Sequence, residues 1–161
     1  MRLTLLLALF LTHCLALAET LSGRVVRVTD GDTIVVLGPG NVQHKIRLTG
    51  IDAPERKQAF GTKSKDHLSD LVAGKSVDVD FVKRDRYRRI LGKVLLNDRD
   101  MNLEQVKSGL AWHYKYYQKE QTSEDRALYS NAEVEAREAG RGLWRDPAPV
   151  PPWEYRRMKR K

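Results

Sequence analysis

The 161-residue chain holds one cysteine, four histidines, three tryptophans and three phenylalanines. Its single cysteine, Cys14, sits in the apolar N-terminal run, so everything after it must be held together by a hydrophobic core rather than by disulfides. The histidines, at 13, 44, 67 and 113, show no ligand spacing, which argues against a zinc or copper site built on nitrogen and sulfur. Internal repeats are absent. So is a membrane span, because the apolar stretch "LTLLLALFL" is short and is soon followed by His13.

That stretch reads instead as the apolar region of a secretory signal. Arg2 supplies the positive start, and Ala16-Leu17-Ala18 supplies a small-residue cleavage site before Glu19. Cys14 ahead of "LALA" would suit a lipoprotein signal, but His13 fills a position that normally holds a small residue. Removal of residues 1–18 leaves 143 of the 161 residues and lowers the formal charge from +8 to +7 with the loss of Arg2. The expectation is an exported protein, periplasmic or secreted, with no stable membrane insertion. A chain of this length can bury one core. Its positive charge favours acidic partners such as nucleic acid, anionic membrane or acidic glycan.

Strands come first. "LSGRVVRVTDGDTIVVL" (21–37) has two β-branched runs around Asp30-Gly31, a hairpin signal because Asp-Gly tolerates the positive φ of a tight turn. "VQHKIRLTG" (42–50) alternates Val42, His44, Ile46 and Leu48, and "KSVDVDFV" (75–82) alternates with Val77, Val79 and Phe81 inward. "RRILGKVLL" (88–96) makes a fifth strand. Helices are expected over 62–74 with Leu68, Leu71 and Val72 on one face, and over 102–109 with Asn102 and Gln105 at capping-box spacing. A further helix over 122–140 places Leu128, Ala132, Ala136 and Ala139 on one stripe. This order predicts an α+β fold: a five-stranded Greek-key OB-fold β-barrel with about three packed α-helices. The domain spans 19–146, and the proline-rich, basic tail 147–161 reads as a solvated, disordered end.

The chemistry lies in two short segments. In "TDGDT" (29–33), turn formation accounts for Asp30 but does not require Asp32. In "IDAPE" (51–55), Pro54 holds Ala53 extended, so Asp52, the Ala53 carbonyl and Glu55 stand as oxygen groups on a stiff segment. In a barrel the first hairpin and the end of the third strand can lie side by side. Asp32, Asp52 and a backbone carbonyl would then form an oxygen-only site suited to a hard cation such as Ca²⁺.

"VTDGDTIVV", "IRLTGIDAPE" and "DRYRRILGKV" are similar, in order and spacing, to the three motifs of the staphylococcal nuclease (thermonuclease) family. With "GLAWHY" and "AREAGRGLW", the resemblance runs from about Leu21 to Trp144. It implies a monomeric OB-fold nuclease that uses Ca²⁺ to hydrolyse phosphodiester bonds in single-stranded or locally opened DNA and RNA, leaving 3′-phosphate ends. It implies Asp32 and Asp52 as carboxylate ligands, Ala53 as the carbonyl ligand, Glu55 as the general base, and Arg47 and Arg89 as phosphate-binding arginines. Asp30 becomes an acidic residue behind the ligands. Tyr87 falls near the substrate phosphate, and one of Tyr114, Tyr116 and Tyr117 stacks on a base, with Tyr117 the choice. Arg88 departs from the pattern, since the family often has glycine there; Arg89 is chosen over Arg86 and Arg88 by its spacing to "LGKV". Trp112 and Trp144 read as packing residues, and His44, His67 and His113 as surface or edge residues.

Two other classes compete. One is a nucleic-acid-binding or protein-interaction module on the same fold with its chemistry lost, whose sign would be erosion of the acidic and arginine positions. Asp32, Arg47, Asp52, Glu55 and Arg89 are all present. The other is a basic protein that binds anionic membrane or glycan through its tail, which leaves the acidic cluster unexplained.

Overall fold

In the computed structural model, residues 19–160 are described, and the expected signal segment lies outside them. Strand β1 (Glu19–Asp30) turns through Gly31-Asp32 into β2 (Thr33–Leu37), which pairs antiparallel with β3 (Gln43–Leu48). The two-residue β4 (Ile51–Asp52) follows, then helix α1 (Gly61–Val72). Strand β5 (Ser76–Arg84) returns along β1, and β6 (Ile90–Leu96) runs antiparallel to β5. Parallel pairing of β6 with β3, Ile46 opposite Ile90 and Arg47 opposite Leu91, closes a five-stranded barrel. The barrel is the expected OB type. After β7 (Arg99–Asp100) come α2 (Met101–Lys107), β8 (Trp112–His113), which pairs with β4, and α3 (Ser123–Glu138).

Alternation builds the interior. Val25, Ile34, Val36, Ile46, Leu48, Val77, Val79, Ile90 and Val94 are buried, and Leu68, Val72, Met101, Val106 and Tyr129 of the helices join them in one cluster. Phe81, expected inward, is only partly buried at the cluster's edge. Irregular register in β1, between Val25 and Arg27 and again between Val28 and Asp30, bends this long strand so that it serves both β2 and β5.

Three helical expectations are corrected. Helix α2 is capped by Asp100, whose side chain accepts from the Leu103 amide, so Asn102 lies inside the helix rather than at its cap. Asn102 is buried and accepts from the Val94 amide while donating to the Thr49 and Gly92 carbonyls. In α3, Leu128 is 46% exposed, and the inward stripe is Tyr129, Ala132, Glu133 and Ala136. Polar partners set that rotation: the Tyr129 hydroxyl donates to Asp100 (2.7 Å) and Glu133 accepts from the His113 amide (3.1 Å). The tail is the third case. Pro152–Met158 forms a helix, α4, with buried Pro152 in its first turn.

Two backbone positions bear on the site. Gly31 has no left-handed φ; it is needed for space, because a Cβ there would lie 1.8 Å from the Ser64 hydroxyl and 2.8 Å from the Ala53 Cβ. The β1–β2 turn is thereby seated against α1 and against the segment carrying Ala53. Gln105 of α2 fastens it, donating to the Gly31 carbonyl (2.6 Å) and the Ser64 carbonyl (3.0 Å). Arg88, by contrast, has φ +63° in the turn before β6, the left-handed region that a side chain disfavours. This accounts for glycine at the equivalent place in the resembling family. Arg88→Gly should stabilise the protein by about 1 kcal/mol, raising the melting temperature by roughly 2–4 °C in a calorimetric scan. An unchanged or lower midpoint would show that the turn carries no such strain.

Candidate active site

The β1–β2 turn and the end of β3 do lie side by side. Arg47, at the end of β3, joins them through its guanidinium: Nη1 lies 2.9 Å from Asp32 Oδ2 and Nη2 lies 2.8 Å from Asp52 Oδ1. Nη1 also donates to the carbonyls of Leu48 (3.0 Å) and Ile51 (3.1 Å). Asp32 Oδ2 further accepts from the Ala53 amide (2.8 Å), and Asp32 Oδ1 accepts from the Thr33 hydroxyl (3.0 Å). Asp52 is fully buried, at 0% exposure. Asp32, Arg47, Asp52 and Ala53 are thus one unit. Pro54 is buried, and Glu55 follows it with a partly exposed side chain.

Arg89 stands apart from this unit, held by Asp85 through Nε (2.7 Å) and Nη2 (2.7 Å). Burial pushes Asp85 upward, but its hydrogen bonds from Arg89 prevail and hold it below the usual carboxylate range. The pairing of Arg47 with Leu91 places Arg89 two residues from Arg47's partner, at the same end of the barrel. Tyr87 is 65% exposed, with the guanidinium carbons of Arg86 and Arg89 at 4.9 and 5.5 Å from its ring centre. Tyr117 is 49% exposed and meets Tyr116 edge-on at 4.9 Å. Tyr114 is nearer the cluster: its amide donates to Gly50 (2.8 Å), and β8 just before it pairs Trp112 with Asp52. Trp112 and Trp144 pack edge-on at 4.3 Å, as packing residues should. His113 is buried rather than at the surface, bonded to Gln121 (2.9 Å), and burial lowers its pKa.

One residue at the site was missed from sequence. Arg156 of α4 reaches the cluster, with Nη2 at 2.7 Å from Asp52 Oδ2 and Nη1 at 2.8 Å from Glu55 Oε1. The available signal was Pro151-Pro152 ahead of Trp153 and Tyr155, a helix start carrying two large aromatics, outweighed by the surrounding basic composition.

The donor set suits a hard cation. It is all oxygen, and among the described residues no group of three or more Asp, Glu, His or Cys side chains is arranged to hold a metal by itself. A cation would therefore also draw on the Ala53 carbonyl and water, as Ca²⁺ readily does. The cluster is short of positive charge. Burial, then the neighbouring Asp32, push Asp30 up to about 7. Burial also raises Asp52, against the lowering effect of Arg156 and Arg47.

The Asp30 shift has a definite sign in stability. Below pH 3.8 both folded and unfolded chains hold its proton. Between there and about 7 the folded protein keeps a proton that the unfolded chain has lost, so stability falls as pH rises through that window. Asp30→Asn should remove this contribution, giving a protein that gains on wild type in melting temperature from pH 5 to pH 8 without divalent metal. Parallel curves for the two proteins would mean that Asp30 ionises as freely folded as unfolded.

Known proteins place this geometry. The profile of the family described as staphylococcal nuclease homologue matches residues 45–146. An uncharacterized endonuclease of Haemophilus influenzae is 44% identical over 98% of this chain and 85% of its own length. An uncharacterized endonuclease of Escherichia coli is 45% identical over 95% of this chain and 96% of its own. A micrococcal nuclease of Shigella flexneri is 40% identical over 86% and 82%. With a matching profile that runs from within β3 through α3, relatives alike over most of the chain, and Asp32, Asp52 and Arg47 joined at the barrel's mouth, the chain belongs to the staphylococcal nuclease family and is a nuclease.

Proposed function

We propose that the protein is an exported nuclease that depends on Ca²⁺ and hydrolyses phosphodiester bonds of DNA and RNA, leaving the phosphate on the 3′ side. The observation that carries the reading is the convergence of Asp32 and Asp52 on one guanidinium, with the Ala53 carbonyl and Glu55 on the same stiff segment. Asp32, Asp52 and the Ala53 carbonyl would hold the cation, which when bound supplies positive charge to a phosphodiester whose equatorial oxygens gain negative charge in the transition state.

The chain's own groups do the rest. Glu55 accepts a proton from the attacking water; the water oxygen bonds to phosphorus, the bond to the 5′-oxygen breaks, and that oxygen takes a proton from solvent to leave as the 5′-hydroxyl. Arg47 and Arg89 bind equatorial oxygens through paired N–H groups, a planar contact that an ammonium cannot make. Asp85 holds Arg89 in orientation beforehand. Arg47 exchanges its carboxylate partners for phosphate oxygens when substrate arrives. Tyr117 offers a face to an unpaired base, which favours single-stranded or locally opened substrate and tolerates any sequence.

The deciding experiment compares hydrolysis of single-stranded DNA by wild type and three variants across a Ca²⁺ titration. Glu55→Gln should keep cation binding and lose about 10²–10⁴ in rate. Asp32→Ala should weaken Ca²⁺ and recover in part as the cation is raised. Arg89→Lys should stay slow at every concentration. Equal rates for all four proteins would place the chemistry elsewhere on the molecule. Export has its own check: mass spectrometry of the protein recovered from its producing cell should find Glu19 at the N-terminus, and an intact Met1 form in the cytoplasm would refute it.

A further inference from the structure

The tail is seated on the active site, and by more than charge. Pro152 is buried, Trp153 lies 5.6 Å from Trp112 and 5.3 Å from Tyr114 between ring centres, and the Tyr155 hydroxyl donates to the Lys57 carbonyl at 3.1 Å. The Gln58 amide donates to the Val150 carbonyl, and Gln58 Oε1 accepts from the Glu55 amide at 3.1 Å. Helix α4 is therefore fastened to the segment that carries Glu55. From that footing Arg156 donates to Asp52 Oδ2 (2.7 Å), to Asp52 Oδ1 (3.3 Å) and to Glu55 Oε1 (2.8 Å).

Asp52 has no oxygen left over. Oδ1 is taken by Arg47 Nη2 at 2.8 Å, and Oδ2 has Arg156 as its close partner on a carboxylate that itself has no solvent exposure. A Ca²⁺ ligand oxygen sits at about 2.3–2.6 Å from the ion. A guanidinium nitrogen within hydrogen-bond distance of that same oxygen would stand next to the ion, like charge against like charge in a poorly solvated site. The two cations compete for one carboxylate.

We infer that Arg156 is a tethered competitor for the divalent cation, so that binding of the metal at Asp52 and docking of α4 oppose each other. This rests on reading Asp52 as a ligand. Linkage makes the effect reciprocal: the metal loosens α4, and loss of the Arg156 contact tightens the metal. The device gives the enzyme a cation threshold set by its own C-terminal helix.

The test uses the mature full chain and the metal alone, without substrate. Calorimetric titration with Ca²⁺, Mg²⁺ and Mn²⁺ is run on wild type, Arg156→Gln, Arg156→Lys and Arg157→Gln. Arg157 is exposed and makes none of these contacts, so its variant reports the bare loss of one positive charge. Arg156→Gln should bind the cation about tenfold more tightly than Arg157→Gln, a coupling of ordinary size, with Arg156→Lys between. Hydrogen exchange of wild-type amides in 153–158 should speed up when the cation is added. Equal affinities for Arg156→Gln and Arg157→Gln, or an unchanged exchange rate in α4, would overturn the inference while leaving a Ca²⁺ enzyme in place. The same coupling seen with Mg²⁺ or Mn²⁺ but not Ca²⁺ would uphold it and overturn the choice of metal. No binding of any of the three cations would overturn both.

Discussion

The contact on which the site depends is the guanidinium of Arg47 between Asp32 and Asp52. The two carboxylates come from the β1–β2 turn and from β4, and neither would tolerate burial beside the other without a shared cation. Arg47 also holds the carbonyls of Leu48 and Ile51, so the chain's turn out of β3 and its two acids are fixed by one planar group. The barrel closes at this place, with Arg47 in register with Leu91. Packing and electrostatics therefore meet in one residue. A lysine ammonium could balance the acids, but its three donors on one nitrogen could not reach both carboxylates and both carbonyls as the two forked guanidinium nitrogens do.

Much of this was legible from the chain because it is local. Hydrophobic alternation in β2, β3, β5 and β6 reports which face is buried, and the site residues lie in short segments whose spacing survives folding. What escaped reading were polar groups whose burial is decided by partners far along the chain. Asn102 resembles a helix cap until its carbonyl and amide partners at Thr49, Gly92 and Val94 are known. Glu133 looks solvent-facing until the His113 amide and Lys115 meet it. The tail was misjudged for the same reason. Its charges suggested solvent, whereas Trp153 and Arg156 find an apolar face and an anionic one at the same place.

Gly31 and Gln105 show how the scaffold supports the chemistry without touching it. The absent side chain lets the hairpin turn settle on α1, and the amide of Gln105 ties the turn's carbonyl to the helices. Asp32 follows immediately, so its position is set by helix packing on one side and by Arg47 on the other. Beyond the cluster, exposed Tyr116 and Tyr117 lie on the segment after β8, whose pairing with β4 also fixes Asp52. Asp52 and the start of the aromatic segment are thus tied together by one small two-stranded ladder.

Arg156 lies 104 residues beyond Asp52 in the chain. Synthesis proceeds from the N-terminus and domains take shape as they emerge, so the barrel, α1 and the paired acids can assemble before the last helix exists. The nascent molecule passes through a stage in which its most buried carboxylate has only one arginine. A chain released before α4 is made presents an undercompensated acidic mouth and uncovered rings at Trp112 and Tyr114.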